Sequence, residues 1–387
     1  MNRLGRANNI ADLRDLARRR LPRPIFDYID GGADDETSLR WNTAAFSDYA
    51  LVPDVLKDVS GIRTETTVFG QQVRWPLMLA PTGLNRMFHG DAELAVARAA
   101  ADHGVLYGLS TLGTTRLEAL AEAFRGPKVF QIYVFKDRGL TSEFVARCRD
   151  AGFHGLALTV DTPVAGNRER DRVNGLSIPP RLTLKSLLSF ALHPGWSLPA
   201  LTGSRFDFAN VSHRVDALGA GPMSLFDYIG GQFDRSVTWR DVEWLAAEWK
   251  GPLAIKGIMA PADAKRAVAS GATGIMISNH GGRQLDGAPA PVDQISDIRD
   301  AVGDGPDVIC DGGVRRGSDV VKALALGATA CSIGRPYLYG LAAGGEAGVD
   351  RALTLLFEEF ERTLILAGVN DIAELGRRHV RRHSPVG

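Results

Sequence analysis

A base and a cation lie within four residues of each other in the segment SNHGGR, residues 278–283. His280 can accept a proton near neutral pH, and the planar guanidinium of Arg283 can bind a carboxylate through two hydrogen bonds. Asp161, which follows a different apolar run, could pair with His280 and increase its basicity. A single histidine is more often packed or solvated than catalytic. The prediction of a base beside a carboxylate site therefore depends on where the fold places these side chains.

Two other segments combine glycine with arginine, DGGVRR at 311–316 and GR at 334–335. Glycine allows backbone N–H groups to approach phosphate oxygens closely, and arginine adds a bidentate donor. Ordinary turns with solvated arginines would also contain these residues. Both segments, however, follow the last two of eight predicted strands, where barrel folds most often bind phosphate. The sequence therefore predicts a phosphate-bearing cofactor.

Eight short apolar runs predict strands, each nearly continuous as in parallel strands that are buried on both faces. Helical patterns such as 91–102, 141–150 and 261–269 separate them. This alternation predicts an α/β fold, a (β/α)8 TIM barrel. A doubly wound open sheet would need G-x-G-x-x-G after the first strand, where the chain has PTG. The predicted strands are 76–80, 105–109, 128–133, 155–160, 252–255, 273–277, 307–310 and 328–333.

Every predicted strand ends in a polar side chain or a glycine. Because barrel enzymes build their active sites at the carboxyl ends of the strands, these residues should surround one site. They are Pro81, Thr82, Gly83, Ser110, Gln131, Tyr133, Thr159, Asp161, Lys256, Ser278, His280, Asp311, Gly313, Gly334 and Arg335, followed closely by Arg168, Arg283 and Arg315.

The whole chain, 1–387, is predicted to be a single domain with additions to the barrel. Residues 1–75 form an N-terminal helical lid segment that contains Tyr28, and 76–340 form the barrel. A long insertion at 173–236 interrupts the fourth βα unit, and 341–387 supply C-terminal helices and a tail. Loops as long as this insertion are usually functional or mobile.

Composition excludes several functional classes. Lys and Arg total 45, as do Asp and Glu, and this balance argues against nucleic-acid binding. The three cysteines, Cys148, Cys310 and Cys331, are too few for a disulfide framework and lack the spacing of metal ligands. We therefore expect a reducing compartment and no metal site. The N-terminus is charged throughout and does not resemble a secretory signal.

The stretch LTLKSLLSFALHPGWSLPAL, residues 182–201, is apolar but is interrupted by Lys185, His193, Pro194 and Pro199. Because these residues break the apolar run, it cannot span a bilayer, which requires about 18 or more consecutive apolar residues. Two interpretations stay open: an ordinary loop with an amphipathic helix, and a peripheral membrane contact.

The sequence also resembles the FMN-dependent L-2-hydroxy acid oxidase and dehydrogenase family, which includes glycolate oxidase, flavocytochrome b2, bacterial L-lactate dehydrogenase and mandelate dehydrogenase. The resemblance covers nearly the whole chain, and its most specific segment is SNHGGRQLD at 278–286. Other matching segments are LTVDTP at 158–163, IKG at 255–257 and DGGVRRG at 311–317.

The resemblance implies oxidation of an L-2-hydroxy acid of the lactate or mandelate class, with FMN as cofactor and His280 as the base partnered by Asp161. His280 could take either the hydroxyl proton or the proton on C2. The other implied substrate contacts are Arg283 and Tyr28 at the carboxylate, Arg168 at the developing charge, Tyr133 at the hydroxyl, and Leu112. Leu112 replaces a tryptophan of plant glycolate oxidases, which implies a substrate larger than glycolate.

For the cofactor, the resemblance places Lys256 beside the flavin N1/C2 oxygen, where a cation stabilises the reduced ring. The phosphate is implied to bind Gly313, Arg315, Gly334 and Arg335, and the ribityl hydroxyls to bind Asp311. The residues implied to line the isoalloxazine and ribityl chain are Pro81, Thr82, Gly83, Ser110, Gln131, Thr159 and Ser278.

The resemblance also bears on the electron acceptor. Gly83 stands where many oxidases have alanine, which favours a dehydrogenase that uses a quinone or cytochrome-type acceptor. The alternative is an oxidase that reduces oxygen to hydrogen peroxide. The resemblance further implies a homotetramer, in the cytoplasm or peripheral on the cytoplasmic face of the inner membrane. A flavin-dependent isomerase and a catalytically silent flavoprotein are the alternatives from other classes.

Overall fold

Apolar segments of the chain pair edge to edge as parallel strands and close into a barrel. The structure is a computed structural model that describes residues 4–176, 183–202, 208–212 and 231–383. The strands, in chain order, are β1 (Tyr49–Leu51), β2 (Thr66–Val68), β3 (Gln71–Val73), β4 (Leu77–Thr82), β5 (Leu106–Ser110), β6 (Lys128–Ile132), β7 (Gly155–Thr159), β8 (Leu253–Ile258), β9 (Gly274–Ser278), β10 (Asp307–Asp311), β11 (Ala330–Ile333) and β12 (Val380–Arg382).

Strands β4 to β11 form the barrel, and β11 pairs with β4 to close it. The predicted TIM-barrel class is therefore confirmed, and each barrel strand overlaps one of the predicted runs. The α-helices described are α1 (Ile10–Arg20), α2 (Arg23–Asp30), α3 (Thr37–Ala44), α4 (Ala92–Asp102), α5 (Leu117–Ala123), α6 (Arg138–Asp150), α7 (Glu169–Val173), α8 (Leu184–Ala191), α9 (Pro194–Thr202), α10 (Trp239–Trp249), α11 (Pro261–Ala269), α12 (Pro291–Val302), α13 (Gly317–Ala325) and α14 (Arg335–Ala367).

The β2–β3 hairpin covers the end of the barrel where the strands begin. Its buried side chains share one apolar cluster with residues at the starts of the barrel strands, such as Met78 and Leu106. The Phe69 backbone N–H donates a hydrogen bond of 2.7 Å to the Asp307 carboxylate at the start of β10. This end is therefore filled by side chains, which leaves the carboxyl ends of the strands as the end that can hold a site.

The N-terminal segment reaches that opposite end of the barrel. Arginines that follow β9 and β11 donate hydrogen bonds to the carbonyl oxygens of Tyr28, Ile29 and Gly31, at the end of α2. The segment is also fixed to the C-terminus, because β1 pairs antiparallel with β12.

Helices α8 and α9 lie in the predicted insertion, 173–236, and α7 ends at its first residue. The parts of 173–236 at 177–182, 203–207 and 213–230 lie outside the described residues, as does the first residue of the 182–201 stretch. Leu184, Leu188 and Leu192 of α8 and its end are 85%, 61% and 69% exposed. Of the helices described, none is both long and apolar enough to cross a membrane.

The boundary predicted between 340 and 341 does not coincide with the end of an element, because α14 continues through it. The helix breaks instead at Gly344 and Gly345, where Gly345 has a φ of +61°. Gly340 and Gly348 bring the two halves together, since a Cβ on Gly348 would lie 1.9 Å from the Gly340 carbonyl oxygen.

Candidate active site

The carboxyl ends of the barrel strands surround a cavity of about 1040 Å³. Sixteen of the predicted site residues line this cavity: Tyr28, Pro81, Thr82, Gly83, Ser110, Leu112, Tyr133, Arg168, Lys256, His280, Arg283, Asp311, Gly313, Arg315, Gly334 and Arg335. The other four, Gln131, Thr159, Asp161 and Ser278, are not in its lining. They lie behind it, on β6, on β9 or at the end of β7, and Gln131, Asp161 and Ser278 hydrogen-bond to lining residues.

His280 and Asp161 form a hydrogen-bonded pair. The Nδ1 atom of His280 lies 2.9 Å from Asp161 Oδ1, so Nε2 is the ring nitrogen available to a substrate. Burial by itself would raise the pKa of the Asp161 carboxyl, but the nearby charges of His280 and Lys256 hold it below its usual value. Gly257 makes room for this carboxylate, because a Cβ there would lie 2.8 Å from the Asp161 Cβ.

Lys256 belongs to a buried polar network on β8, β9 and β10. Its Nζ lies 3.0 Å from Asp311 Oδ2 and donates a hydrogen bond of 2.9 Å to Ser278 Oγ. Ser278 Oγ in turn donates to the same Asp311 oxygen at 2.7 Å. Burial lowers the pKa of Lys256, but Asp311 and Asp161 outweigh it and raise the pKa above its usual value. The network therefore holds a cation at the floor of the cavity.

Two arginines contact the ring of Tyr28. The guanidinium carbons of Arg283 and Arg168 lie 4.9 Å and 5.2 Å from the ring centroid, within the range of cation–π contacts. Arg283 also donates to the Tyr28 carbonyl oxygen at 2.6 Å, which joins the lid segment to the barrel. Burial and the neighbouring charge of Arg168 lower the pKa of Arg283. Two cations this close favour an anion between or beside them.

Buried polar atoms on β6 and β7 fit the edge of a flavin ring. Gln131 Nε2 and Thr159 Oγ1 are buried and have no hydrogen-bond partner within the described chain. Ser110 Oγ donates to Gln131 Oε1 at 3.0 Å, which fixes the orientation of the amide. Because buried polar groups are nearly always paired, these atoms point to a bound group with hydrogen-bonding oxygen or nitrogen atoms. The carbonyl groups and ring nitrogens of FMN match this requirement.

The loop after β10 fits a phosphate. Gly312 and Gly313 have φ values of +131° and +85°, a conformation that favours glycine. Gly313 also passes close to α3, since a Cβ there would lie 1.9 Å from the Asn42 carbonyl oxygen. Arg315 lines the cavity beside them. Glycine is thus required here both by backbone conformation and by packing.

Arg335 lines the same cavity but is also a link between segments. Its guanidinium donates to the carbonyl oxygens of Ile29, Gly281 and Gly31 at 3.0, 2.9 and 2.8 Å. Burial lowers its pKa to about 9. Three of its five N–H groups therefore fix the end of α2 to the loop after β9, and the other two have the chemistry that a phosphate would require.

Sequence reasoning missed several residues at this site. Phe233 from the end of the insertion lines the cavity and packs edge-on against Tyr133, with 4.9 Å between the ring centroids. Phe208 and Leu176 of the insertion also line it. No sequence signal could have found them, because nothing in the pattern shows where a long insertion folds back. Gln284 lies within a recognised motif, yet no role followed from the motif alone.

The buried Lys256–Asp311 pair leads to a prediction for pH. Lys256→Met should lower the free energy of unfolding by about 3–5 kcal/mol near pH 7, because it leaves Asp311 charged and buried without its partner. Lys256 holds the Asp311 pKa low, so Asp311 stabilises the native protein above its unfolded-state pKa and loses this contribution as the pH falls. In the variant, burial instead raises that pKa and protonation relieves the penalty. The stability difference should therefore shrink towards about pH 4.5.

Chemical denaturation followed by tryptophan fluorescence at the two pH values measures this difference. Lys265→Met on the exposed face of α11 is the matched control and should change stability little at either pH. A Lys256→Met penalty that grows as the pH falls would contradict the assigned pairing.

Comparison with known proteins agrees with this geometry. Residues 17–382 match the family model for FMN-dependent dehydrogenase. A putative L-lactate dehydrogenase of Mycobacterium tuberculosis is 44% identical over 100% of this chain and 92% of its own. Glycolate oxidase 1 of Zea mays is 41% identical over 97% of this chain and 96% of its own. The crystal structure of the monotopic membrane protein (S)-mandelate dehydrogenase superposes with a TM-score of 0.94 at 38% identity, over 98% of this chain and 100% of that chain. The chain is an enzyme of the FMN-dependent dehydrogenase family.

Proposed function

We propose that this enzyme oxidises an L-2-hydroxy acid of the lactate or mandelate class to the 2-oxo acid. The observation that carries the proposal is the hydrogen-bonded His280–Asp161 pair in the same cavity as the two arginines around Tyr28. A base beside a carboxylate site suits a substrate in which the carbon that loses hydrogen is next to a carboxylate. The names of the related lactate, glycolate and mandelate enzymes support the same class.

The substrate carboxylate would bind Arg283 and the Tyr28 hydroxyl, with Arg168 stabilising negative charge that develops on the substrate oxygen. Arginine suits this role because its planar donors match a carboxylate in two directions. Tyr133 would donate its phenolic O–H to the substrate hydroxyl. Burial raises the pKa of Tyr133, so this group stays a donor throughout the neutral and mildly alkaline range.

His280 Nε2 would remove one proton from the substrate, and the Asp161 carboxylate would stabilise the resulting imidazolium. Asp161 can do so because its lowered pKa keeps it ionised at neutral pH. FMN, when bound, would accept the two electrons and the other hydrogen that the C2–OH group loses on becoming a ketone. Lys256 would lie beside the flavin pyrimidine edge as the cation there, and Gly312, Gly313, Arg315 and Arg335 would bind its phosphate.

Apolar residues in the lining of the cavity support a substrate larger than glycolate. Leu112, Met87, Phe208 and Phe233 are apolar members of its lining. An apolar wall stabilises a methyl or phenyl substituent by about 25 cal/mol for each Å² removed from water. This supports the lactate or mandelate class and leaves an unsubstituted acid such as glycolate with fewer contacts.

Anaerobic mixing of the FMN-loaded enzyme with a panel of L- and D-2-hydroxy acids tests the central proposal. We expect L-lactate or (S)-mandelate to bleach the flavin absorbance and the D-enantiomers to leave it unchanged. His280→Gln should slow the bleaching by at least about 100-fold, because the base is lost while FMN stays bound. Stopped-flow absorbance measures both effects.

His103→Gln is the matched control, since His103 pairs with Asp350 at the protein surface. It should bleach at the rate of the unmodified enzyme. Reduction by D-acids alone, or by no acid in the panel, would rule out the proposed reaction.

For the acceptor we propose a quinone or a cytochrome-type protein, supported by glycine at position 83. An oxidase is the second candidate, because glycolate oxidase 1 is among the relatives. We expect the enzyme in air to release much less than one hydrogen peroxide for each acid oxidised. Gly83→Ala should increase this yield, because its Cβ, 3.1 Å from the Leu112 Cβ, would alter the wall beside the flavin.

Peroxide yield per 2-oxo acid formed, measured with and without an added quinone, distinguishes the two candidates. Gly61→Ala is the control, because a Cβ at Gly61 meets no atom within 4 Å. A yield near one peroxide per turnover in the unmodified enzyme would identify an oxidase.

We also propose a peripheral membrane contact through the described part of 182–201, on the cytoplasmic face of the inner membrane. Leu184, Leu188 and Leu192 are exposed, and Lys185 adds a cation that suits an anionic headgroup layer. The related (S)-mandelate dehydrogenase is named a monotopic membrane protein, which supports this proposal. We further propose a homotetramer, which could cover exposed apolar side chains elsewhere such as Leu56.

Leu188→Gln with Leu192→Gln should release the enzyme from vesicles of phosphatidylglycerol and phosphatidylethanolamine. Burial of one leucine contributes about 1.5–3 kcal/mol, so the partition coefficient should fall by at least about 10-fold. Co-sedimentation measures it. Leu366→Gln on α14 is the control, because Leu366 is also exposed but lies outside the segment. Equal vesicle binding by the double variant and the unmodified enzyme would refute the contact.

A further inference from the structure

Gln284 joins the loop after β9 to the loop after β7. Its Nε2 donates to the carbonyl oxygens of Asp161 and Val164 at 2.9 and 2.8 Å. Its Oε1 accepts a hydrogen bond of 2.9 Å from the Gly166 N–H. Both donor hydrogens of the carboxamide and one of its acceptor sites are thus used on a single short segment, 161–166.

The segment that Gln284 holds begins with the partner of His280. Asp161 accepts from His280 through Oδ1, and its other oxygen is buried without a partner among the residues described. Within the described part of the chain, the hydrogen bond to His280 is thus the one side-chain contact that fixes the direction of the Asp161 carboxylate. The Asp161 backbone is held by Gln284, which donates to the Asp161 carbonyl oxygen. Gln284 lies four residues after His280 in the chain.

The loop after β7 and the loop after β9 approach each other closely. A Cβ at Gly166 would lie 2.1 Å from the Arg283 carbonyl oxygen, so only glycine lets the loops meet. Asp161 has no regular secondary structure around it, because β7 ends at Thr159 and α7 begins at Glu169. In such a loop, a side-chain carboxamide that pairs with backbone groups replaces the hydrogen bonds of a helix or strand.

We propose that Gln284 is a positioning residue that fixes Asp161 against His280 and so sets the basicity of the proposed base. The expected effect on the rate of flavin reduction rests on the proposed function. The expected effect on the His280–Asp161 contact does not. A carboxylate that orients a histidine must remain within hydrogen-bonding distance, and a misplacement of about 1 Å can cost about 100-fold in rate. Gln284 also lines the cavity, but its carboxamide is hydrogen-bonded to the backbone of Asp161, Val164 and Gly166.

Gln284→Met keeps the length of the side chain and removes all three hydrogen bonds. We expect it to slow flavin reduction by about 10- to 100-fold with FMN still bound. Asp161→Asn should slow the reaction by at least about 100-fold. If Gln284 acts through Asp161, Gln284→Met in the Asp161→Asn background should slow it further by less than about 3-fold. If the double variant instead slows flavin reduction by the product of the two single-variant factors, the proposal is overturned.

A second readout needs no substrate. NMR of the FMN-loaded enzyme labelled at histidine follows the His280 ring against pH, with His280→Gln identifying its resonances. Loss of a nearby carboxylate destabilises the imidazolium, so Asp161→Asn should lower the titration midpoint. Gln284→Met should move it in the same direction by a smaller amount. An unchanged midpoint in Gln284→Met would also overturn the proposal, whether or not any hydroxy acid reduces the flavin.

Gln72→Met is the matched control. Gln72 lies on the hairpin at the opposite end of the barrel and donates one hydrogen bond to Thr67. It should leave both the reduction rate and the titration midpoint unchanged. Gln284→Glu serves as a second variant, because it keeps the acceptor for Gly166 but turns an oxygen towards two carbonyl groups. It should act in the same direction as Gln284→Met, and an unchanged rate and midpoint in both variants would sink the assignment.

Discussion

The buried ion pair between Lys256 and Asp311 is the constraint on which the site depends. Charged groups are removed from water at high cost, so they persist inside a barrel only where a partner lies at hydrogen-bonding distance. Here β9 lies between the two charged strands: Asp311 on β10 is in register with Ser278 on β9, and Lys256 on β8 contacts both side chains. A register shift of one residue would turn these side chains to the other face of the barrel. The pairing of the buried charges therefore depends on the correct register of the barrel strands.

From this polar layer, the segment 278–286 extends the site outwards. His280 contacts Asp161, and Arg283 contacts the end of α2. Asp286 accepts hydrogen bonds from the Thr37 and Ser38 N–H groups, at the N-terminus of α3. These three side chains thus attach three different parts of the chain to one turn. This explains why so short a motif is so specific, since several unrelated contacts constrain its residues at once.

The insertion is also fixed to the site. The Arg23 N–H donates to Ser189 of α8, and Trp196 donates to the Met87 carbonyl oxygen beside the cavity. The exposed leucines of α8 are therefore held in a set position relative to the cavity. Under the proposed membrane contact, this apolar face is connected to the cavity through the hydrogen bond from Trp196 to Met87. The exposed leucines of α8 and the cavity are therefore held in a fixed relative position.

The amino-acid sequence by itself determined the barrel and the chemical character of its site. Parallel strands buried on both faces are continuous apolar runs, and the polar residue that ends each run must lie at one end of the barrel. That argument locates Lys256, His280 and Asp311 without any knowledge of their partners. Only the tertiary structure decided that Arg335 binds backbone carbonyls of α2, that Phe233 packs on Tyr133 and that Gln284 holds the Asp161 loop. Those contacts join residues far apart in the chain, or lie in a loop without periodicity, so no local pattern encodes them.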